Sequence, residues 1–321
     1  MISGSKIFMT GGTGFIGSHI VKRLVGRNNV VVYDTLGRNA LRNICSEHKN
    51  LSVIKGNTLD YSSLLSAMKG SDIVIHLASV SGVDTVIRDP ILTMMVNSVG
   101  SFNVIESSFV SGVKRLIVFS TGEVYNTTFK PHEEDTMKVN PPGNPRWTYS
   151  ASKIAAEHMA FSYHNKHNLP IVIIRPFNIY GPAQVGTGTI NNFIKKAICN
   201  DTLEVHGDGS QIRSWCYVSD IVDFVEMCCY SDDVISNVFN VGNHNGALSV
   251  YELAKKIISA SRSESRIKFV DKPYDGYIDI GLRIPSIDKA MAFGFEAKTD
   301  LDSGIIKTLD WYNENSSSWM E

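Results

Sequence analysis

The sequence predicts a doubly wound α/β fold, a parallel sheet with helices on both faces, followed by a smaller C-terminal α/β lobe. Three observations carry that prediction. Short β-branched runs alternate with longer helical patterns through the first half of the chain. A glycine-rich turn at 11–17 joins the first such run to the first helical pattern. Past Arg175 the alternation gives way to Pro176, Gly181, Pro182, Gly186 and Gly188, the punctuation of a loop that opens a second unit.

Taken in order, Lys6–Thr10 reads as a strand, about Gly14–Gly26 as a helix and Asn29–Asp34 as a second strand. Asp72–His76, Arg115–Ser120 and Ile171–Arg175 are further apolar runs of strand length, each preceded by a helix-like segment. Right-handed crossovers bring the C-terminal ends of such strands to one edge, where a ligand binds. Helices are expected near Thr189–Asn200, at Val250–Ser261 and at Leu301–Asn313, and the polar tail Ser316–Ser318 is expected to fray. The division expected is 1–175 for the sheet unit, with later segments returning to it, and 176–321 for the second lobe. No repeat or low-complexity linker separates the two, so close packing is expected.

A chain of 321 residues is long enough for one large domain or two unequal lobes. Its 31 basic and 32 acidic residues argue against a chain-wide nucleic-acid footprint, while leaving room for a local basic pocket. Met1–Thr10 lacks the apolar core of a signal peptide, and no apolar run approaches the roughly 18 residues of a membrane span. A soluble, cytoplasmic protein is expected. The five cysteines, Cys45, Cys199, Cys216, Cys228 and Cys229, are scattered without metal or redox spacing, which reads as buried free thiols in a reducing compartment. His158, His164 and His167 lie on one expected helix with no carboxylate pattern to complete a site, so no metal is expected.

The turn itself runs Thr10, Gly11, Gly12, Thr13, Gly14, Phe15, Ile16, Gly17. Glycines here let the backbone approach a pyrophosphate, whose charge is met by the N–H groups of the helix N-terminus. Any three glycines can make an ordinary turn. This turn follows a strand, opens a helix and is followed by a second strand ending in Asp34, which is the context a Rossmann-type dinucleotide site demands. A carboxylate there accepts hydrogen bonds from ribose hydroxyls and repels a 2′-phosphate, so NAD is favoured over NADP; a solvated strand end is the alternative.

Tyr149 and Lys153 stand four apart, on one face of an expected helix. An unperturbed tyrosine, with a pKa of about 10, is a poor base at neutral pH. The Lys153 ammonium and the positive charge of oxidised nicotinamide both favour the phenolate and are expected to depress that value. Tyr149 then takes a proton from a substrate hydroxyl while hydride leaves its carbon. Thr121, at the end of the Arg115–Ser120 strand, is placed to bond the oxygen being oxidised; local backbone bonding is its alternative.

With the G-x-x-G-x-x-G spacing and Tyr149, Ser150, Ala151, Ser152, Lys153 downstream, the chain resembles the extended short-chain dehydrogenase/reductase family, in its nucleotide-sugar epimerase and dehydratase branch. The resemblance extends over Thr10–Gly17, His76–Ala78, Ser120–Tyr125, Tyr149–Lys153, Arg175–Pro182 and Gly207–Asp220, six motifs in order. It implies that Gly11, Gly14, Phe15, Ile16, Gly17, Asp34, Asn57, Ala78, Tyr149 and Lys153 contact NAD. Asn57 stands where an aspartate is usual, and its amide pairs with the adenine amino group in this reading. Asn97 falls at the family's Asn-x-x-Gly helix start. Asn178 and Arg213 are implied to hold the substrate diphosphate, with Arg283 a second clamp; surface arginines are the alternative. A homodimer through the helices at about Leu92–Ser111 and Tyr149–His167 is implied by resemblance only. UDP is the family's commonest base, with dTDP, GDP and CDP open.

The residues after Thr121 decide among reactions. Sugar 4,6-dehydratases carry Thr-Asp-Glu, and Gly122 cannot supply that acid, although Glu123 keeps the second carboxylate. Simple 4-epimerases need neither group. Pro145–Tyr149 and Tyr277–Ile287, the latter containing Arg283, resemble UDP-glucuronate decarboxylases, in which the residues matching Glu123 and Arg283 assist loss of carbon dioxide. Gly122 departs from that pattern too and is expected to leave a gap that admits a bulkier substituent or water. The reading put first is an NDP-sugar 4-epimerase acting through transient oxidation at C4, with Thr121, Glu123, Tyr149 and Lys153 catalytic. Decarboxylation follows closely, then dehydration or net 4-dehydrogenation. Outside enzymes stands a non-catalytic NAD-binding regulator.

Overall fold

The structure is a computed structural model that describes residues 3–45, 47–125, 133–134, 136, 142–186, 188–271 and 280–319. Tyr277, Ile278 and Asp279, the start of one motif singled out above, lie outside the described residues. So do Met1 and Ile2.

Among the described residues, fourteen strands and twelve α-helices follow in order. The first half contains β1 Lys6–Thr10, α1 Phe15–Leu24, β2 Asn29–Asp34, α2 Leu41–Ile44, β3 Leu51–Lys55, α3 Tyr61–Met68, β4 Ile73–His76, α4 Val83–Arg88, α5 Pro90–Met94, α6 Gly100–Val110, β5 Arg115–Phe119, α7 Thr148–His167 and β6 Ile171–Pro176. The second half contains β7 Ile179–Tyr180, α8 Thr189–Ile198, β8 Leu203–His206, β9 Ile212–Arg213, β10 Cys216–Tyr217, α9 Val218–Tyr230, β11 Asn237–Val241, β12 Leu248–Ser249, α10 Val250–Ser261, β13 Ile267–Val270, β14 Leu282–Arg283, α11 Asp288–Ala292 and α12 Leu301–Glu314.

Seven strands pair in the order β11-β6-β5-β4-β1-β2-β3, every neighbour parallel. The strands alternate at period 2 between two apolar cores. Ile7, Met9, Ile73, Ile75, Ile117 and Phe119 face one core, with α1 and α9; Phe8, Val74, Leu116 and Val118 face the other, with α3, α6 and α7. Burying each such side chain contributes about 1.5–3 kcal/mol, which is why runs without polar interruption become central strands. The order reverses between β1 and β4, so the crevice outside their C-terminal ends is where a dinucleotide binds in such sheets.

The chain after β6 builds three small sheets, β10-β7, β12-β9-β14 and β13-β8, with α8, α10 and α12 packed together, while β11 returns to the edge of the large sheet. Within β9 and β14 the parallel register sets Arg283 beside Arg213. The tail expected to fray instead forms a 3₁₀ turn, Ser316–Ser318. Trp319 anchors it: the indole Nε1 donates to the Tyr312 carbonyl at 2.8 Å, and the two rings meet edge-on at 5.5 Å. The cysteines are all free, but only Cys216, Cys228 and Cys229 are buried, and Cys199 is exposed. No described helix is long and apolar enough to cross a membrane.

Candidate active site

The glycine turn sits at the sheet's reversal point. Gly11 adopts φ +73°, and a Cβ there would lie 2.5 Å from the Ala78 nitrogen at the end of β4. A Cβ on Gly17 would lie 2.5 Å from the Gly11 carbonyl oxygen, so the helix can approach the turn this closely only without a side chain. Gly14 caps α1 with no side-chain partner, and the first turn holds no acidic residue. Its N–H groups therefore face the crevice with the positive end of the helix dipole and no competing carboxylate. Phe15 and Ile16 begin the helix, partly buried. Asp34, at the end of β2, accepts from the Thr13 N–H at 3.1 Å and the Leu36 N–H at 2.9 Å, one bond on each oxygen. Each oxygen keeps a lone pair for a ribose hydroxyl. Asn57 follows β3, its Oδ1 accepting from the Leu59 N–H at 3.0 Å. These residues fit a dinucleotide.

His76 and Asn97 fix the floor of that crevice. Thr10 Oγ1 lies 2.7 Å from His76 Nδ1 and Ser101 Oγ 2.9 Å from Nε2, and Ser101 donates to the Asn97 carbonyl at 2.6 Å. Ser101 has thus used its proton, so Nε2 carries the imidazole hydrogen and Nδ1 accepts from Thr10. Burial, with the Lys153 charge adding to it, pushes the His76 pKa down to about 3, so the ring stays neutral. Asn97 lies in a π-helical turn, Met95–Val99, wholly buried. Its Oδ1 accepts from the Val80 N–H at 2.8 Å and the Ser79 hydroxyl at 3.1 Å, and its Nδ2 donates to the Val80 carbonyl and Ser152 Oγ. One amide thereby locks the loop after β4 to α7.

Tyr149 stands in the first turn of α7, with its hydroxyl bonded to Thr121 and Ser79. Thr121 Oγ1 also accepts from the Glu123 N–H at 3.1 Å. Burial pushes the Tyr149 hydroxyl up to about 12, and the nearby Glu123 charge adds to the rise, against the Thr121 and Ser79 hydrogen bonds and the Arg283 charge. The fall expected from Lys153 does not appear. Lys153 is buried, its Nζ donates to the Phe119 carbonyl at 2.9 Å, and burial brings it down to about 8 while Glu157 opposes that. It is therefore turned towards the end of β5, and the polypeptide alone leaves Tyr149 a weak acid.

Glu123 is the second residue of a 3₁₀ turn, Gly122–Tyr125, and meets a basic cluster. Arg283 Nη1 donates to Glu123 Oε1 at 2.5 Å, and Arg146 Nη2 lies 3.7 Å from Oε2. Burial pushes the carboxyl up, but Arg283, Arg146 and Arg213 outweigh it and hold the pKa below the usual carboxylate range. Arg283 is thus a partner of Glu123, and Arg213 joins the same cluster while donating to the Ile212 carbonyl at 2.9 Å. Arg283 Nη2 is buried with no hydrogen-bond partner among the described residues. Asn178, at φ 42°, turns its Nδ2 to the Ser214 carbonyl at 2.8 Å, leaving one N–H of that amide for a diphosphate. The gap expected at Gly122 is filled: a Cβ there would lie 2.8 Å from the Phe177 ring.

Residues 7–242 match the NAD dependent epimerase/dehydratase family. The chain belongs to that family. It is 32% identical to a UDP-N-acetyl-alpha-D-glucosaminuronate decarboxylase of Bacillus cytotoxicus, over 96% of this chain and 98% of that one. It is also 32% identical to a dTDP-D-glucose 4,6-dehydratase of Mus musculus, over 98% and 90%. Among solved structures, an epimerase of Methanothermobacter thermautotrophicus superposes with a TM-score of 0.90 at 28% identity, covering 98% of this chain and 94% of that one. The protein is accordingly an enzyme of the NAD-dependent nucleotide-sugar epimerase, dehydratase and decarboxylase group, with NAD its cofactor.

Two residues of the cluster escaped the sequence reading. Ser79 follows the His76–Ala78 motif by one position, and only its contact with Tyr149 marks it out. Arg146 lies inside the Pro145–Tyr149 motif, where its charge was a signal, but its carboxylate partner is 23 positions away.

Proposed function

We propose that this enzyme oxidises C4 of a nucleotide-linked uronic acid and releases the C6 carboxylate as carbon dioxide. The observation that carries the reading is Arg283, whose Nη2 is buried without a partner beside Glu123. A buried guanidinium N–H left unbonded costs about 1–3 kcal/mol, so it points to an anionic partner in the working complex. Arg283 shares Glu123 through Nη1 and keeps Nη2 for a second anion, which suits a substrate bearing a carboxylate as well as a diphosphate. The Bacillus cytotoxicus relative is named for a reaction of this kind. Gly122 supports no dehydratase acid, and Glu123, held ionised, is a poor proton donor for a leaving hydroxyl.

NAD, when bound, would supply the hydride acceptor for C4 and the hydride for the final reduction of the ketone. Tyr149 receives the C4 hydroxyl proton, and Thr121 donates to the same oxygen. The resulting 4-keto group stands β to the carboxylate. The C5–C6 bond breaks, its electron pair moves into the C4–C5 enolate, carbon dioxide leaves, and a proton from water is added at C5. Tyr149 and Thr121 stabilise the enolate oxygen. Arg283 orients the carboxylate, and Glu123 competes for that arginine, so the carboxylate is not held too tightly to leave. Asn178 and Arg213 hold the diphosphate end.

The 4-epimerase, which the sequence puts first, is the second reading here, favoured by the absence of an acid at Gly122. We also propose a homodimer through α6 and α7. Leu92 on α5, Met95 and Val99 in the π-helical turn, and Phe102 and Phe109 on α6 are exposed apolar residues of the segment that runs into α6. Incubation with UDP-glucuronic acid, UDP-N-acetylglucosaminuronic acid, UDP-glucose and dTDP-glucose, followed by mass spectrometry, tests the reaction. Loss of carbon dioxide from a uronate is expected. Unchanged mass with inverted stereochemistry on every substrate would overturn the decarboxylase in favour of the epimerase.

A further inference from the structure

Behind the site runs a buried chain of polar groups that none of the steps above uses. Glu157, one helical turn beyond Lys153 on α7, takes both ends of the Arg175 fork: Nε to Oε1 at 2.9 Å and Nη2 to Oε2 at 2.6 Å. Arg175 Nη1 donates to the Tyr125 oxygen at 2.6 Å, and the guanidinium stands 5.2 Å from that ring's centroid. Tyr125 donates to Asn240 Oδ1 at 2.6 Å, and Asn240 Nδ2 donates to the Ser286 carbonyl at 3.1 Å. Glu134 braces the middle, its carbonyl accepting from Arg175 and its Oε1 from the Asn240 N–H. Glu157, Arg175, Tyr125 and Asn240 are each less than 5% exposed.

The ends of this chain matter. It starts on the helix that carries Tyr149 and Lys153. In the middle, Tyr125 shares a single 3₁₀ turn with Glu123. It finishes at Ser286, three positions after Arg283 on the segment leaving β14. A buried ion pair is weak evidence for stability, since a packed apolar pair of like volume often serves as well. A satisfied buried network does hold its members to one geometry. Burial keeps the Tyr125 hydroxyl protonated, pushed up to about 12, so it remains a donor to Asn240.

We propose that the Glu157–Arg175–Tyr125–Asn240 chain positions the Glu123–Arg283 pair against the Tyr149 helix, so that Tyr125 and Asn240 govern the step after C4 oxidation. They are positioning residues and touch no reacting atom. The assignment rests on the roles of Glu123 and Arg283 proposed above. A misplacement of about 1 Å at a reacting group can cost about a hundredfold in rate, whereas Tyr149 has a second support in Ser79, which Asn97 fixes.

The test uses the full chain loaded with NAD, with Tyr125→Phe and, as a second variant, Asn240→Ser, in single turnovers of UDP-glucuronic acid. Reduced nicotinamide is expected to form within about twofold of the wild-type rate, while carbon dioxide release falls at least about tenfold and the keto sugar accumulates. Both steps falling by the same factor in both variants, or neither falling, would overturn the proposal. If the wild type releases no carbon dioxide from any uronate, the decarboxylase reading fails by itself. The positioning claim is then decided by a crystal structure of Tyr125→Phe: a parted Glu123–Arg283 pair upholds it, and a pair kept at its original separation overturns it.

Discussion

Arg283 Nη1 lies 2.5 Å from Glu123 Oε1, across 160 positions of sequence, and this contact makes the two residues one unit. Removing either charge releases the other, and the two removals have opposite signatures. Glu123→Gln takes from Arg283 its carboxylate partner, so a uronate substrate binds more tightly and lets go of carbon dioxide more slowly. KM for UDP-glucuronic acid is expected to fall together with kcat, the latter by about a hundredfold. Arg283→Met raises KM for the uronate while leaving the affinity for UDP-glucose within about twofold. Steady-state kinetics on both substrates decide it. Equal changes in KM for the charged and neutral sugars would refute an anion site at Arg283.

Tyr149 is left high by burial, so its two hydroxyl partners carry weight. Tyr149→Phe is expected to lower C4 oxidation by about 100- to 10,000-fold while the protein still retains NAD. Ser79→Ala removes the bond that favours the phenolate when the Ser79 proton turns from Asn97 Oδ1 to the Tyr149 oxygen. The working base is the deprotonated form, present above its pKa. Raising that pKa by about one unit lowers the rate about tenfold at neutral pH and shifts the rising limb of the profile to higher pH by the same amount. The pH dependence of single-turnover nicotinamide reduction measures this, and an unshifted limb in Ser79→Ala would remove Ser79 from the site.

Much of this was legible in the chain. β1, β2, β4, β5 and β6 each hold an unbroken run of at least three apolar residues, and buried parallel strands need that composition. β11 was not legible, because Asn237 and Asn240 break its apolar run. The second of these is the amide that Tyr125 and Ser286 require. β3 was missed for the opposite reason: it is an edge strand with four of five residues exposed, so burial imprints no alternation on it. At the site, motif positions found Thr121, Glu123, Tyr149, Lys153 and Arg283. They did not find how these residues pair. Sequence spacing put Lys153 next to Tyr149 on the helix, but a side chain's direction follows its nearest acceptor, here the Phe119 carbonyl.

His76 gives a pH dependence to stability. Its ordinary value of 6.5 falls to about 3 in the fold, through burial first and the Lys153 charge second. Between those values the unfolded chain binds a proton that the folded chain does not, so stability drops as pH falls through 6.5. From about pH 7 to about pH 5 this one group removes about 2 kcal/mol. Denaturant unfolding of the wild type and His76→Asn across that window should show the dependence flattened by that amount in the variant. Parallel curves would mean that the imidazole titrates normally.

The exposed segment that runs into α6 makes a separate prediction about assembly. Phe102→Asp places a charge at the centre of the exposed apolar residues, 41% exposed in the single chain, where it costs little in fold stability. Sedimentation should show wild-type dimer and variant monomer, with unfolding of the dilute monomer changed by less than about 1 kcal/mol. Identical sedimentation of the two at high concentration would mean that another face, or none, joins the copies.

Gly122 and Phe177 make the last prediction, because they explain why this chain lacks an acid after Thr121. A Cβ at 122 would meet the Phe177 ring at 2.8 Å, and Phe177 has no room to retreat. It is 1% exposed, packs on the Tyr125 ring at 5.8 Å, and its own Cβ would be 2.9 Å from any Cβ placed on Gly242. Overpacking of this kind costs about 1–3 kcal/mol, so Gly122→Ala is expected to destabilise by that amount. Phe177→Leu opens space, and the same Gly122→Ala made on that background should cost less than about half as much, a coupling that a double-mutant cycle in denaturant reads directly. Gly122→Asp in the wild-type background should bring a loss of stability and no loss of water from dTDP-glucose, because the carboxylate has to displace an aromatic ring before it can reach a sugar. Should Gly122→Ala cost the same with Phe177 and with Leu at position 177, the ring is not what holds this position to glycine.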